Sequence, residues 1–203
     1  MPIQARPYSD DAARAVLTRL DASDHHEAAL VRGQWPDGFQ LWADWRAVQG
    51  ARLDSRVFFT GDHPGATPFA VGCLTHTGQA GVAQAAFLAR DHARYRREIA
   101  GAGAMIRRAL PGFARDTGLR RIEARCWRGH PTAPDFLMML GFDLEAEMRG
   151  FGGGGEVEFL QYAWVARWAG PPGGRRRACL SCPGPRAGAC HRHRLKGPMP
   201  CVS

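Results

Sequence analysis

The stretch YRREIAGAGAMIRRALPGFARDTGLRRIEARCWRGHPTAPDFLMMLGF, residues 95–142, carries three consecutive elements with distinct periodicities. Tyr95, Ile99, Ala102, Ile106, Ala109 and Phe113 recur at steps of four and three, which places them on one face of a helix. Pro111 should end or kink that helix, since it has no N–H to donate, and Gly118 suits its terminus. Arg121 to Trp127 then alternates: Ile122, Ala124 and Cys126 fall on one face, and Arg121, Glu123 and Arg125 on the other. A half-buried strand has that pattern. Thr132 to Leu140 reads as a short helix stopped by Gly141.

Upstream, Ile3 to Tyr8 is extended in character. Ser9 is a candidate cap for a helix over Asp10 to Leu20, whose acidic first turn suits the positive end of the helix dipole. Helical regions are expected at about Ser23 to Val31 and at Phe39 to Gln49, where Leu41, Trp42, Trp45 and Val48 keep helical spacing. Three strands follow, Arg56 to Thr60, Pro68 to Thr75 and Gly81 to Ala89, separated by Gly and Pro turns. Two more close the domain: Asp143 to Phe151 and Glu156 to Val165, joined across glycines 152 to 155. The expected fold is a single α/β (α+β) domain over residues 1–168, with a mixed, mostly antiparallel sheet flanked by helices.

Beyond Trp168 the composition changes. Eleven of the last 33 residues are Gly or Pro and no apolar periodicity remains, so residues 169–203 are expected to be a disordered basic tail. The net charge of +8 resides mainly there, because residues 1–170 hold 20 basic against 19 acidic side chains. A folded nucleic-acid-binding module would carry its basic stripe on the domain, so nucleic acid is not an expected partner except weakly through the tail. Cys179, Cys182, Cys190, His191 and His193 are residue types that zinc prefers. They lack the repeated paired spacing of a structural site, and no metal is expected. Cys73 and Cys126 read as small buried hydrophobes. No run is long and apolar enough for a membrane helix and the N-terminus lacks a signal segment, so the expected location is cytoplasmic.

The element order and two local motifs resemble the GNAT (Gcn5-related N-acetyltransferase) superfamily over roughly residues 3 to 165. The first is Gly101-Ala102-Gly103, followed fifteen residues later by Gly118 and then by a strand. It is similar to the family's Gln/Arg-x-x-Gly-x-Gly/Ala loop, in which backbone N–H groups meet a pyrophosphate at a helix start. Glu98 stands where the Gln/Arg is expected, leaving Arg96 and Arg97 to supply positive charge. Alternatively the helix begins upstream and the glycines serve close packing. The second motif places His130, Ala133, Phe136, Leu137, Gly141 and Phe142 at the spacing of the family's Asn-x-x-Ala-x-x-Leu/Phe-Tyr-x-x-x-Gly-Phe. Leu137 replaces a tyrosine that serves as general acid in many members. Cys126 to His130 with Phe136-Leu137, and Asp24, Glu27 and Ala28 upstream, look closest to the acyltransferase-like proteins of tailed phages and prophages.

The resemblance implies an acetyl-CoA-dependent N-acyltransferase acting on an amine, small molecule or protein, with a homodimer as the expected assembly. The alternative is a phage-derived virion or assembly protein that keeps the fold without turnover and is associated with the virion. The implied proton-transfer residues are Glu27, His26 and His130. The implied acetyl-CoA contacts are Phe87, Leu88 and Ala89 on the fourth strand, Arg96, Arg97, Gly101, Ala102 and Gly103 at the long helix, and Phe136.

Overall fold

The computed structural model describes residues 3–152 and 158–167, and the described residues fall in one compact unit. The expectations for residues 169–203 lie outside them. Seven strands form one sheet in the order β1-β2-β3-β4-β5-β7-β6, comprising β1 (Gln4–Pro7), β2 (Arg52–Phe59), β3 (Pro68–His76), β4 (Val82–Ala89), β5 (Arg121–Trp127), β6 (Asp143–Met148) and β7 (Phe159–Val165). Every neighbouring pair is antiparallel except β4 and β5. The helices are α1 (Asp10–Leu17), α2 (Ala22–Arg32), α3 (Gly38–Ala47), α4 (Arg96–Thr117) and α5 (Ala133–Leu140). The mixed, mostly antiparallel sheet flanked by helices is the fold class the sequence implied.

Strand alternation sends β2 and β3 side chains to two cores. On one face Val57, Phe59 and Val71 pack against Ala13, Val16 and Leu17 of α1 and Trp45 of α3. On the other, Ile122, Ala124 and Cys126 of β5 and Leu160 and Tyr162 of β7 pack against Leu110 and Ala114 of α4. Gly38 opens α3 against the backbone of Thr18, whose Cα lies only 2.6 Å from where a Cβ would stand. Backbone cannot swing aside as a side chain can, so Gly38→Ala should cost about 1–3 kcal/mol in urea unfolding by prying α3 from α1. A midpoint equal to the wild type's would contradict that packing.

Several boundaries differ from expectation. The first helix stops at Leu17 rather than Leu20. Ser9 holds the cap position, but its hydroxyl makes no capping bond. β2 begins at Arg52 rather than Arg56, and β6 ends at Met148 rather than Phe151. β7 begins at Phe159, while the expected start of its strand, at Glu156, and the glycines 153–155 lie outside the described residues.

The long helix continues past Pro111 to Thr117, where Gly118 (φ 72°) turns the chain in the left-handed region. Pro111 is exposed and leaves only the Arg107 carbonyl without its helical donor, on a surface where water replaces it. Buried Leu110 and Ala114 on the opposite side hold the helix on the sheet.

The parallel junction positions the site. β4 and β5 pair only through Val82–Arg121, Ala83–Ile122 and Gln84–Glu123. Beyond these residues both strands continue, unpaired with each other, to Ala89 and Trp127. The sheet therefore opens into a V at its centre.

Candidate active site

A cavity of about 360 Å³ occupies this V and the space beneath α4 and α5. Its walls are mainly apolar: Phe87 on β4, Ile106 on α4, Cys126 on β5, and Phe136 and Leu137 on α5 are among them. Asp24, Glu27 and His130 line it where α2 crosses the mouth of the V, and Asp54, Arg56 and Arg125 also face the cavity.

α2 is placed there by its own cap and by β4. The Asp21 carboxylate accepts from Ser23 N–H at 2.9 Å, starting the helix, and the Asp21 N–H donates to the Ala89 carbonyl at 2.9 Å. One turn on, Asp24 Oδ2 accepts the Ala89 N–H at 2.7 Å. Glu27 lies a further turn along the same face, where its Oε2 accepts the Trp127 N–H of β5 at 2.8 Å. The helix thus ties both arms of the V with two carboxylates spaced i, i+3.

The two carboxylates are held in opposite states. Burial pushes the Glu27 carboxyl up to about 7, against the stabilising Trp127 N–H and the nearby His130. Burial also opposes ionisation of Asp24. Hydrogen bonds from His130 and His92, and the Ala89 amide, outweigh it and hold that carboxyl below its usual range. Glu27 is therefore poised near neutrality, as a proton acceptor must be.

His130 is buried. Its Nδ1 accepts two backbone amides, Thr132 N–H at 3.2 Å and Ala133 N–H at 2.9 Å, so its Nε2 carries the proton and donates to Asp24 Oδ1 at 2.9 Å. His92 Nε2 lies 3.3 Å from the same oxygen, and its backbone N–H donates to Asp21 Oδ2 at 2.9 Å. Burial works against protonation of His92, but the carboxylates of Asp24, Asp21 and Asp91 outweigh it and raise its pKa. Asp24, His92 and His130 are the group of metal-ligand type that comes together among the described residues. With Nδ1 of His130 occupied by amides and its Nε2 proton on Asp24, the grouping is a hydrogen-bonded network.

The other implied residues are distributed unevenly. His26 lies between the rings of Trp35 (tilted, centroids 5.3 Å apart) and Trp127 (edge-on, 4.9 Å), and it does not line the cavity. On β4, Arg90 N–H donates to Phe69 O of β3, so by alternation Leu88 N–H also faces β3, while the amides of Phe87 and Ala89 face the V. Ala89 N–H is taken by Asp24, which leaves Phe87 N–H facing the cavity. Arg96 and Arg97 are exposed in the first turn of α4, where the helix dipole is positive. Gly101, Ala102 and Gly103 lie within α4, more than a turn past its start. Gly101 faces Ile3, and a Cβ at Gly103 would run into Met139 and Phe136 of α5. Of the two readings of the glycine pair, these contacts fit close packing. Phe136 lines the cavity with its ring 4.8 Å from that of Phe87.

The sequence does not single out His92, and it marks Asp24 only beside Glu27. Spacing i, i+3 on one helix is the single signal for Asp24. His92 offers none, since it sits in a turn 68 residues from its partner. Leu137 lines the cavity with an apolar side chain. Cys126, in the same wall, stays a thiol, with burial and then Glu27 pushing its pKa up to about 12.

No family model matches the sequence, and no curated protein matches it. Solved structures do share the fold. One is the GNAT-family acetyltransferase from Bacillus anthracis, 10% identical, covering 80% of this chain and 94% of that one with a TM-score of 0.60. Another is the GNAT-superfamily phosphinothricin acetyltransferase from Sinorhizobium meliloti in complex with AcCoA, 14% identical over 82% and 89%, TM-score 0.57. A third is the ribosomal-protein-S18-alanine N-acetyltransferase from Escherichia coli, 15% identical over 83% and 97%, TM-score 0.58. The chain has the architecture of the GNAT acetyltransferases. Among its described residues no helix is long and apolar enough to cross a membrane.

Proposed function

We propose that this protein transfers an acyl group from acetyl-CoA to an amine, carried by a small molecule or a protein, and that it works in the cytoplasm. The observation that carries the reading is the opening of β4 from β5 around an apolar cavity, with the near-neutral Glu27 carboxyl at its mouth. Acetyl-CoA suits the residues present, because an apolar slot takes a flexible pantetheine arm and the arginine-bearing start of α4 suits a pyrophosphate. When bound, it supplies the acetyl group activated as a thioester.

The chain's own groups then have separable tasks. Phe87 N–H is the backbone donor for an acyl oxygen, and Phe87 and Phe136 form the apolar wall. Arg96 and Arg97 lend charge at the α4 start. Glu27 accepts the proton of the attacking amine as the C–N bond forms and the thioester C–S bond breaks, and the released thiolate takes its proton from water or from protonated Glu27. The Trp127 N–H bond keeps its carboxylate aimed between the two strands. His26 and His130 flank Glu27 in sequence or space, but His26 is held between two tryptophan rings and His130 by three hydrogen bonds.

A second reading, a phage-derived virion or assembly protein without turnover, is favoured by one observation: Leu137 lines the cavity and has no proton to donate. One pair of measurements separates the two. Melting with and without millimolar acetyl-CoA should show a rise of several degrees, since ligand at a hundredfold excess over Kd adds about 2.7 kcal/mol. Thiol release with a panel of amines should then exceed the rate without amine. Stabilisation without amine-dependent release supports the second reading, and no stabilisation contradicts the first.

A further inference from the structure

We propose that Asp24 is a positioning residue, which replaces the missing neighbouring strand at the end of β4 so that Phe87 N–H is the one amide there left to face the cavity. The proposal rests on the acyl-transfer reading above and assigns a role within that site to a residue whose two carboxylate oxygens are both bonded to protein groups.

Where β4 leaves β5, the amides on its open edge lose their strand partner. Two consecutive outward amides, Phe87 and Ala89, would then compete for one acyl oxygen, and the strand end would be held on one side only. The first turn of α2 removes both problems. Asp24 Oδ2 takes the Ala89 N–H at 2.7 Å and Asp21 N–H gives to the Ala89 carbonyl at 2.9 Å, so both backbone groups of Ala89 are bonded as a strand would bond them.

The other oxygen is locked as well. Asp24 Oδ1 faces His130 Nε2 at 2.9 Å and His92 Nε2 at 3.3 Å. His130 is itself oriented by the first amides of α5, and His92 by Asp21 through its backbone N–H. The carboxylate is buried and its two oxygens are engaged by three donors, which leaves it no freedom to serve as a base. A buried carboxylate is costly to keep, and here it joins α2, β4, the β4–α4 turn and the β5–α5 turn at one point.

The test uses Asp24→Asn, nearly identical in size: its single oxygen is claimed on the Oδ1 side by His130 and His92, which turns its NH2 group against the Ala89 N–H, and two readouts follow the loss. Amide hydrogen exchange followed by NMR should show the Ala89 N–H exchanging at least about tenfold faster in the variant, with core β3 amides unchanged. Steady-state acetyl transfer should lose about 100-fold in kcat, as when an oxyanion donor is displaced, while KM for acetyl-CoA moves less than about threefold because the apolar cavity is intact. Should Asp24→Asn fail to fold, the partly exposed His92 provides a milder variant. His92→Ala should loosen the Ala89 amide and lower kcat about three- to tenfold with KM held. Unchanged Ala89 exchange, or KM rising as much as kcat falls, overturns the proposal. A wild type without acetyl-CoA turnover overturns the acyl-transfer reading instead, and the exchange data still decide whether Asp24 clamps β4.

Discussion

Exchanging Glu27 for glutamine is expected to cut kcat/KM for acyl transfer by about 10²- to 10⁴-fold, the range contributed by a positioned general base. The glutamine side chain keeps the shape and its amide oxygen can still accept the Trp127 N–H, so acetyl-CoA binding should persist. In the wild type, kcat/KM should rise with pH through about 7 as the carboxyl ionises, and the variant should lack that inflection. Stability has the opposite sign. The folded protein holds the Glu27 proton more tightly than the unfolded chain, whose carboxyl titrates near 4.5. Its favourable contribution is complete below that value and is lost as pH rises through about 7. Glu27→Gln should therefore be more stable than the wild type at pH 8, by up to about 3 kcal/mol. A variant that keeps wild-type kcat/KM at pH 8 would remove Glu27 from the mechanism.

The second large effect concerns stability. Asp24→Ala removes the acceptor of two buried donors, the Ala89 amide and His130, and the carboxylate partner of the partly exposed His92. Unsatisfied buried donors cost about 1–3 kcal/mol each, and with partial relaxation the loss should be about 3–5 kcal/mol in urea unfolding. The pH dependence follows from two directions. Asp24 titrates in the folded state below its ordinary 3.8, so its contribution is present above 3.8 and disappears as pH falls through the lowered value. His92 titrates above its ordinary 6.5, so its contribution is full below 6.5 and is lost as pH rises through the raised value. The gap between wild type and Asp24→Ala should therefore be widest between pH 3.8 and 6.5. A gap independent of pH would contradict the charge-assisted network.

Local periodicity makes much of the fold legible. The 3.6-residue recurrence from Tyr95 to Phe113 and the alternation from Arg121 to Trp127 locate α4 and β5, and with them the parallel junction where the sheet opens. Pro111 does not end α4, because a proline's cost depends on whether the freed carbonyl meets water, which is a property of the packed surface. Glu27, His130, Phe87 and Phe136 are legible through family-like spacing, and the structure brings them to one cavity. The Asp24–His92–His130 network is not. Its members are separated by 68 and 38 residues, and their meeting depends on how α2 docks across the V, which no local pattern encodes. The glycine pair illustrates the converse. Gly101-Ala102-Gly103 has the spacing of a phosphate loop, yet α4 begins at Arg96 and the contacts of Gly103 are to Met139 and Phe136.

In the proposed function the V between β4 and β5 receives acetyl-CoA with Phe87 N–H as donor and the α4 start as anion site. Titrating the ¹⁵N-labelled protein with acetyl-CoA and following its backbone amides tests this directly. Saturable shifts are expected at Phe87, at Arg96 and Arg97, and around Cys126 and Phe136, with α1 and α3 undisturbed. Saturation that leaves Phe87 and the α4 start unmoved, or no saturable shift at all, would contradict it.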